Sequence, residues 1–538
     1  MRRLYWAAVL TGSVTLALIG AAAAGDGSRV VSRGDPFAAC VGVGTDTFGA
    51  VNYPDSEVEP WVAANPANPR NVVGTFQQDR WSDGGAKGLV ASWSLDGGRQ
   101  WGETPLPFSL CAGPSYGGAV LPYERASDPW NDIGPDGKSY AVSISFNGND
   151  NNNAVGAATS SDGGITWRNL RAVITDLNAD PTLPFNDKES VTADPLHAGY
   201  AYVVWDRIFN VPCSAATSPA SRQPIVTERP ARRVRAAAAP TCSKGPTYFS
   251  RTTNGGSSWS SPTPILPTPV NEQTIGNVIV VDRQTDILYD FFTYIDIHNN
   301  FFVEMIHTLG PGTAPTLAWS APVVIATQDV PVGVVDPRTG EPLRTGAIIP
   351  QPAIDPVSGQ LYVVWEDARF NNNQNDQVVI STSPRGGAAW TTPKLVNPPG
   401  DPAAFTPAVA VDNRGVVGVS YYALSTSLQG APIDVLPTDF WFTQSEGPSL
   451  KFTKRQHLYG PFNIKAAPDS GGFFLGDYEG LTTIAQDNQG FLPFFGVTNC
   501  SNTSCKAVGN PTGAATGKPD PTDIVAVKVD QQGEGGEK

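Results

Sequence analysis

Methionine is nearly missing from this chain, with 2 in 538 residues, and charged side chains make up only 16%. Both shortages leave little material for helices. No apolar run beyond residue 24 is long enough to cross a bilayer. Basic residues are outnumbered, 36 Lys and Arg against 50 Asp and Glu, for a net charge of −14. That balance argues against nucleic acid or an anionic membrane surface as a partner. The four histidines (His197, His298, His307, His457) are scattered with no Ser or Cys partner in view. No cysteine shows metal-ligand spacing with histidine, so no resident metal is expected. The oxygen-rich loops Asn147 to Asn153 and Asn371 to Asp376 are the places where Ca²⁺ would fit if any were bound.

What the chain has instead is turn material, 55 Gly and 48 Pro. Residues 1–24 read as a signal peptide, with Arg2 and Arg3 before an apolar run and Ala22-Ala23-Ala24 at the cleavage site. A secreted product of about 510 residues is expected. Six cysteines in an exported chain imply disulfides, and six allow 15 pairings. Proximity favours Cys213 with Cys242 and Cys500 with Cys505, leaving Cys40 with Cys111. The segment 25–55 is a polar lead-in that could complete the last unit, and 531–538 is a polar tail.

One phrase recurs. It reads Ser94-Leu95-Asp96-Gly97-Gly98-Arg99-Gln100-Trp101, then Ser160 to Trp167 around Asp162, then Thr252 to Trp259 around Asn254. A degenerate fourth copy, Ser383 to Trp390, keeps the glycines and the Trp but lacks the acid. A hydroxyl ends one strand, the Asp or Asn can bond turn amides, and paired glycines supply positive φ. Trp101, Trp167 and Trp259 then open the return strand with a large apolar face. A wider repeat frames these turns: strand, Asp/Asn-Pro or Asp-Gly turn, aromatic-rich strand. Seven such units occupy 56–530, with a step of about 66 residues between the first two boxes. A fixed period of this size means stacked or radial sheets. The expected fold is all-β, a β-propeller of four-stranded antiparallel blades with seven favoured. An insertion, 210–245, interrupts the third unit as a stapled flap.

The boxes resemble the Asp-box, or bacterial neuraminidase repeat, of sialidase-like β-propellers. The resemblance implies six blades rather than seven. It also implies a clamp of three arginines for a substrate carboxylate, an acidic proton donor and a Tyr-Glu nucleophile pair. Antiparallel alternation puts the box turns on the face of the turns joining strands one and two. Ligands are then expected on the opposite face. The residues reaching that face fit the implied roles: Arg80, Arg207 and Arg369 for the clamp, Asp128 for the acid, and Tyr478 with Glu479 or Glu189 for the nucleophile pair. The Arg-Ile-Pro motif that such enzymes carry before the first box is absent here.

Gly113-Pro114-Ser115-Tyr116-Gly117 matches a hydrolase nucleophile elbow in letters but lacks the strand and helix that expose the serine. The leading expectation is a secreted, monomeric glycoside hydrolase acting on a glycan without a cofactor. A noncatalytic glycan- or protein-binding propeller and a polysaccharide lyase are the alternatives.

Overall fold

Strand alternation decides the architecture. In Tyr202-Val203-Val204-Trp205 all four side chains are buried. Val203 and Trp205 pack with Val142, Ile144 and Val155 of the preceding unit, and Tyr202 and Val204 with Ile279 and Leu288 of the following one. Leu361, Val363 and Trp365 likewise face one neighbour while Tyr362 and Val364 face the other. A strand buried on both faces needs a sheet on either side of it.

The computed structural model describes residues 27–44, 49–213, 241–329, 333–445, 450–484, 490–498 and 522–529. The protein is all-β, built from antiparallel sheets that are mostly four-stranded. The first strands of the seven units are Glu57–Ala64, Arg125–Ile133, Phe185–Ala193, Gln273–Val281, Gln351–Ile354, Ala404–Val411 and Gly480–Ile484. Each packs against the next in chain order, and Gly480–Ile484 packs against Glu57–Ala64. The first two units share one sheet through the pair Ala86↔Ala126. The seventh takes Gly480–Ile484, Gly490–Thr498 and Thr522–Val527 from one end of the chain and Ser28–Val30 from the other.

The box turns fold as their chemistry dictates. Ser94 Oγ donates to Asp96 Oδ1 (2.9 Å) and accepts from the Gly98 N–H (2.9 Å). Ser160 and Asp162 repeat the pair at 2.8 and 3.0 Å, and Thr252 and Asn254 at 3.0 and 3.0 Å. Trp101, Trp167 and Trp390 donate their indole N–H to the carbonyl of the second glycine, whereas the Trp259 N–H has no partner. The Gly97 N–H bonds Arg70 O at 2.7 Å, and Gly255 N–H bonds Gly199 O at 2.9 Å. Box turns therefore lie beside the turns joining strands one and two.

Among the described residues there are two disulfides, Cys40–Cys111 and Cys213–Cys242. Cys500 and Cys505 lie outside the described residues, as does most of the insertion. Its two ends are held together: Phe209–Pro212 pairs with Thr241–Lys244, and the Cys213–Cys242 disulfide closes the end of that ladder. Two long links also meet. Val334–Val335 pairs with Pro342–Arg344, which runs parallel to Phe473–Phe474. Just after Pro342–Arg344, Gly346 has φ +65° and must be glycine: a Cβ there would sit 1.9 Å from Asp477 O.

Candidate functional site at the axis

The seven first strands surround one cavity of about 300 Å³, lined from Trp61 and Trp130 to Asn65, Pro195, Pro356 and Asn413 in the turns between strands one and two. Its inner end is closed by Trp61 stacked on Trp130 at 3.4 Å, with Tyr478 edge-on at 5.0 Å from Trp130. On the other side of these rings lies a buried charged cluster.

The cluster is built by a repeated irregularity. Pairing slips between Val58 and Trp61, Ser127 and Trp130, Asp187 and Ser190, Ile275 and Val278, and Phe405 and Ala408. At each slip one residue has positive φ: Glu59 (54°), Asp128 (53°), Lys188 (49°), Gly276 (72°) and Thr406 (46°). Bulges re-aim side chains, and three of these are followed by Pro60, Pro129 and Pro407, which have no ladder N–H to lose. A β-branched residue in this conformation is strained. Thr406 is held there by donating to Thr345 O (2.8 Å) and by its N–H on Glu366 Oε1 (2.8 Å).

Lys188 Nζ reaches Asp128 Oδ1 at 2.7 Å, Asp477 Oδ2 at 2.8 Å and Glu59 Oε1 at 3.1 Å. Arg344 clamps the same Asp477 with Nε at 3.0 Å from Oδ1 and Nη2 on Oδ2. Burial alone would raise the Asp477 carboxyl, but Arg344 and Lys188 hold it far below the usual carboxylate range. Glu189, also buried, behaves in the opposite way. Neither of its oxygens accepts a hydrogen bond from another residue, and burial followed by the neighbouring Asp128 charge pushes its carboxyl well up. Burial, then Glu59, Asp128, Glu189 and Asp477, raise the Tyr478 hydroxyl. A second acidic pair adjoins: Glu366 and Asp376 are both raised, chiefly by burial.

The structure thus gathers Asp128, Glu189 and Tyr478 from the sequence-predicted set. Glu479 turns toward Ser420 and Tyr422. The three arginines do not form one clamp. Arg207 pairs with Asp176 and stacks on Tyr248 at 5.1 Å, and Arg369 pairs with Asp367 at 2.7 Å. Arg80 reaches the axis, donating to Gln77 (2.8 Å) and Ser470 (3.0 Å). Its guanidinium shares the Phe474 ring with Arg344, at 4.6 and 4.4 Å. Arg344 and Lys188 were not predicted. In the Asn147 to Asn153 loop, Asp150 is already engaged by Asn152 N–H at 2.8 Å.

No family model and no curated protein sequence matches the chain. Similar solved structures include a Penicillium chrysogenum α-L-arabinanase complexed with arabinobiose, 10% identical, covering 89% of this chain and 96% of that one with a TM-score of 0.40. A Dyadobacter fermentans protein of unknown function, 12% identical, covers 96% and 100% with a TM-score of 0.46. A Hadza microbial sialidase, 14% identical, covers 86% and 75% with a TM-score of 0.40. Likeness of this order fixes no activity.

Proposed function

We propose that this chain is a secreted, sialidase-like propeller of seven blades that hydrolyses a glycosidic bond, with Glu189 as proton donor and Asp128 as the ionised carboxylate. The observation that carries the reading is the opposed electrostatics of these two neighbours. Asp128 sits on Lys188 at 2.7 Å, while Glu189 is buried, neither of its oxygens accepts a hydrogen bond from another residue, and burial with the Asp128 charge pushes its carboxyl well up. Two carboxyls whose surroundings drive them apart are what acid and base roles need. The roles differ from the sequence expectation, in which Asp128 is the acid. Glu189 would protonate the leaving oxygen. Asp128 would serve the anomeric carbon as nucleophile or as base for water, according to the separation of the two carboxyls. Arg80 and Arg344 on Phe474 suit an acidic sugar, and the small sheet carrying Arg344 must part for substrate to enter.

Assaying release from a panel of aryl glycosides, a sialoside included, tests this. Turnover per folded molecule should fall by about 100-fold or more in Glu189→Gln and Asp128→Asn, and Asp128→Asn should also melt earlier because it weakens the buried pair with Lys188. A folded wild type that releases no sugar overturns the hydrolase. One specific observation favours a noncatalytic binding propeller: Lys188, Glu59 and Asp128 are almost completely buried, as strand clamps would be. Glycan binding without turnover would support that second reading.

A further inference from the structure

We propose that Asp194, His197 and Asp286 form a site for one divalent transition ion, with zinc as the type, on the face that carries the box turns. Asp194 and His197 belong to the turn between Phe185–Ala193 and Ala201–Pro212. Asp286 belongs to the turn between Gln273–Val281 and Leu288–Ile295, so the site joins two neighbouring units.

The ligand atoms are already gathered. His197 Nδ1 is 3.2 Å from Asp194 Oδ1 and 3.9 Å from Asp286 Oδ1, and one atom from each residue lies within 4.8 Å of the others. Bonds of about 2.1 Å around a tetrahedral ion place ligands about 3.4 Å apart, so the closest pair would open slightly and the wider pairs would draw in.

A second observation points inward. The Asp286 side chain is only 9% exposed, and its Oδ1 is buried with no hydrogen-bond partner. Its other oxygen is fully used, accepting the Thr313 N–H at 3.1 Å and the hydroxyl at 2.6 Å. One oxygen is fixed by the protein and its twin is left facing the imidazole. Asp194 differs in that both of its oxygens already take protein bonds, and the His197 Nδ1 lies 3.2 Å from each, so an ion would replace the proton shared there. The Leu196 and His197 N–H groups bond its Oδ1 at 2.8 and 2.9 Å, and the Tyr202 hydroxyl bonds Oδ2 at 2.7 Å. Such outer contacts hold metal ligands in place. The His197 side chain is 41% exposed, which leaves one side of the ion open to water.

An imidazole with two carboxylates suits zinc and its first-row neighbours, whereas calcium and magnesium take all-oxygen sets. Full-length protein dialysed against chelator and titrated calorimetrically with Zn²⁺ should bind one equivalent and gain Tm. Ca²⁺ or Mg²⁺ at the same concentrations should produce neither effect. His197→Ala and Asp286→Asn should each weaken Zn²⁺ binding by at least roughly tenfold. His197 stands on an exposed turn, so His197→Ala decides alone if Asp286→Asn melts early. Absence of zinc binding overturns the site, as does undiminished binding in His197→Ala or equal binding of Ca²⁺.

Discussion

Glu304, in the strand Phe301–His307, is 7% exposed, and burial pushes its carboxyl up to about 7 from an ordinary 4.5. Between those values the folded protein keeps a proton that the unfolded chain has released. Stability from this group therefore falls as pH rises. Asp206 adds to the slope, since burial pushes it up to about 7 despite bonds from the Gly276 N–H (2.8 Å) and Asn277 (2.6 Å). Asp477 works the other way: its contribution is complete above the ordinary carboxylate range and is lost as pH falls below it. Chemical denaturation from pH 5 to 7.5 should show declining stability, and Glu304→Gln should flatten that decline. A variant slope equal to the wild type's would refute the assignment.

A box turn is the smallest element that repeats, and its stability rests on one side chain. Asp162 Oδ1 takes the Thr166 N–H and the Ser160 hydroxyl, both at 2.8 Å. Burial tends to raise the Asp162 carboxyl, but the hydrogen bonds from Thr166, Ser160 and its own backbone together lower it. Asp162→Ala should cost on the order of 1–3 kcal/mol in urea melts and leave ligand preference unchanged, because the turn faces away from the axial cluster. Altered preference at normal stability would reverse that assignment of faces. These turns were legible in the sequence because the side-chain bonds of their Ser or Thr and their Asp or Asn span four residues or fewer. The bulges were less so. Glu59-Pro60-Trp61 and Asp128-Pro129-Trp130 show the pattern, and aligning the units puts Lys188-Glu189-Ser190 in register with them. Lys188 lacks both the Pro and the acidic charge, so the repeated pattern does not single it out. Arg344 lies in a link that belongs to no repeat, and only the meeting of that link with Phe473–Phe474 brings it to Asp477.

At the scale of the molecule, the order of sheets was readable from the spacing of apolar strands, while the axial contacts were not, since they join units far apart in the chain. The seventh sheet is the extreme case. Ser32 Oγ donates to Asp523 Oδ1 at 2.7 Å across 491 residues, and the Val31 N–H bonds Ile524 O at 2.8 Å. Deleting residues up to Arg33 should expose the edge of Thr522–Val527 and lower Tm while leaving the outer sheets intact by circular dichroism. A truncated protein melting with the wild type would show that this edge carries no stability.

The shared seventh sheet also orders events in time. A chain emerging from the ribosome makes Ser28–Val30 long before its partner Thr522–Val527. Six sheets can be complete while the first and the sixth each still show an unsatisfied flank. Joining such distant segments is entropically slow. Until Thr522–Val527 arrives, the growing polypeptide carries two sticky surfaces and is at its most aggregation-prone.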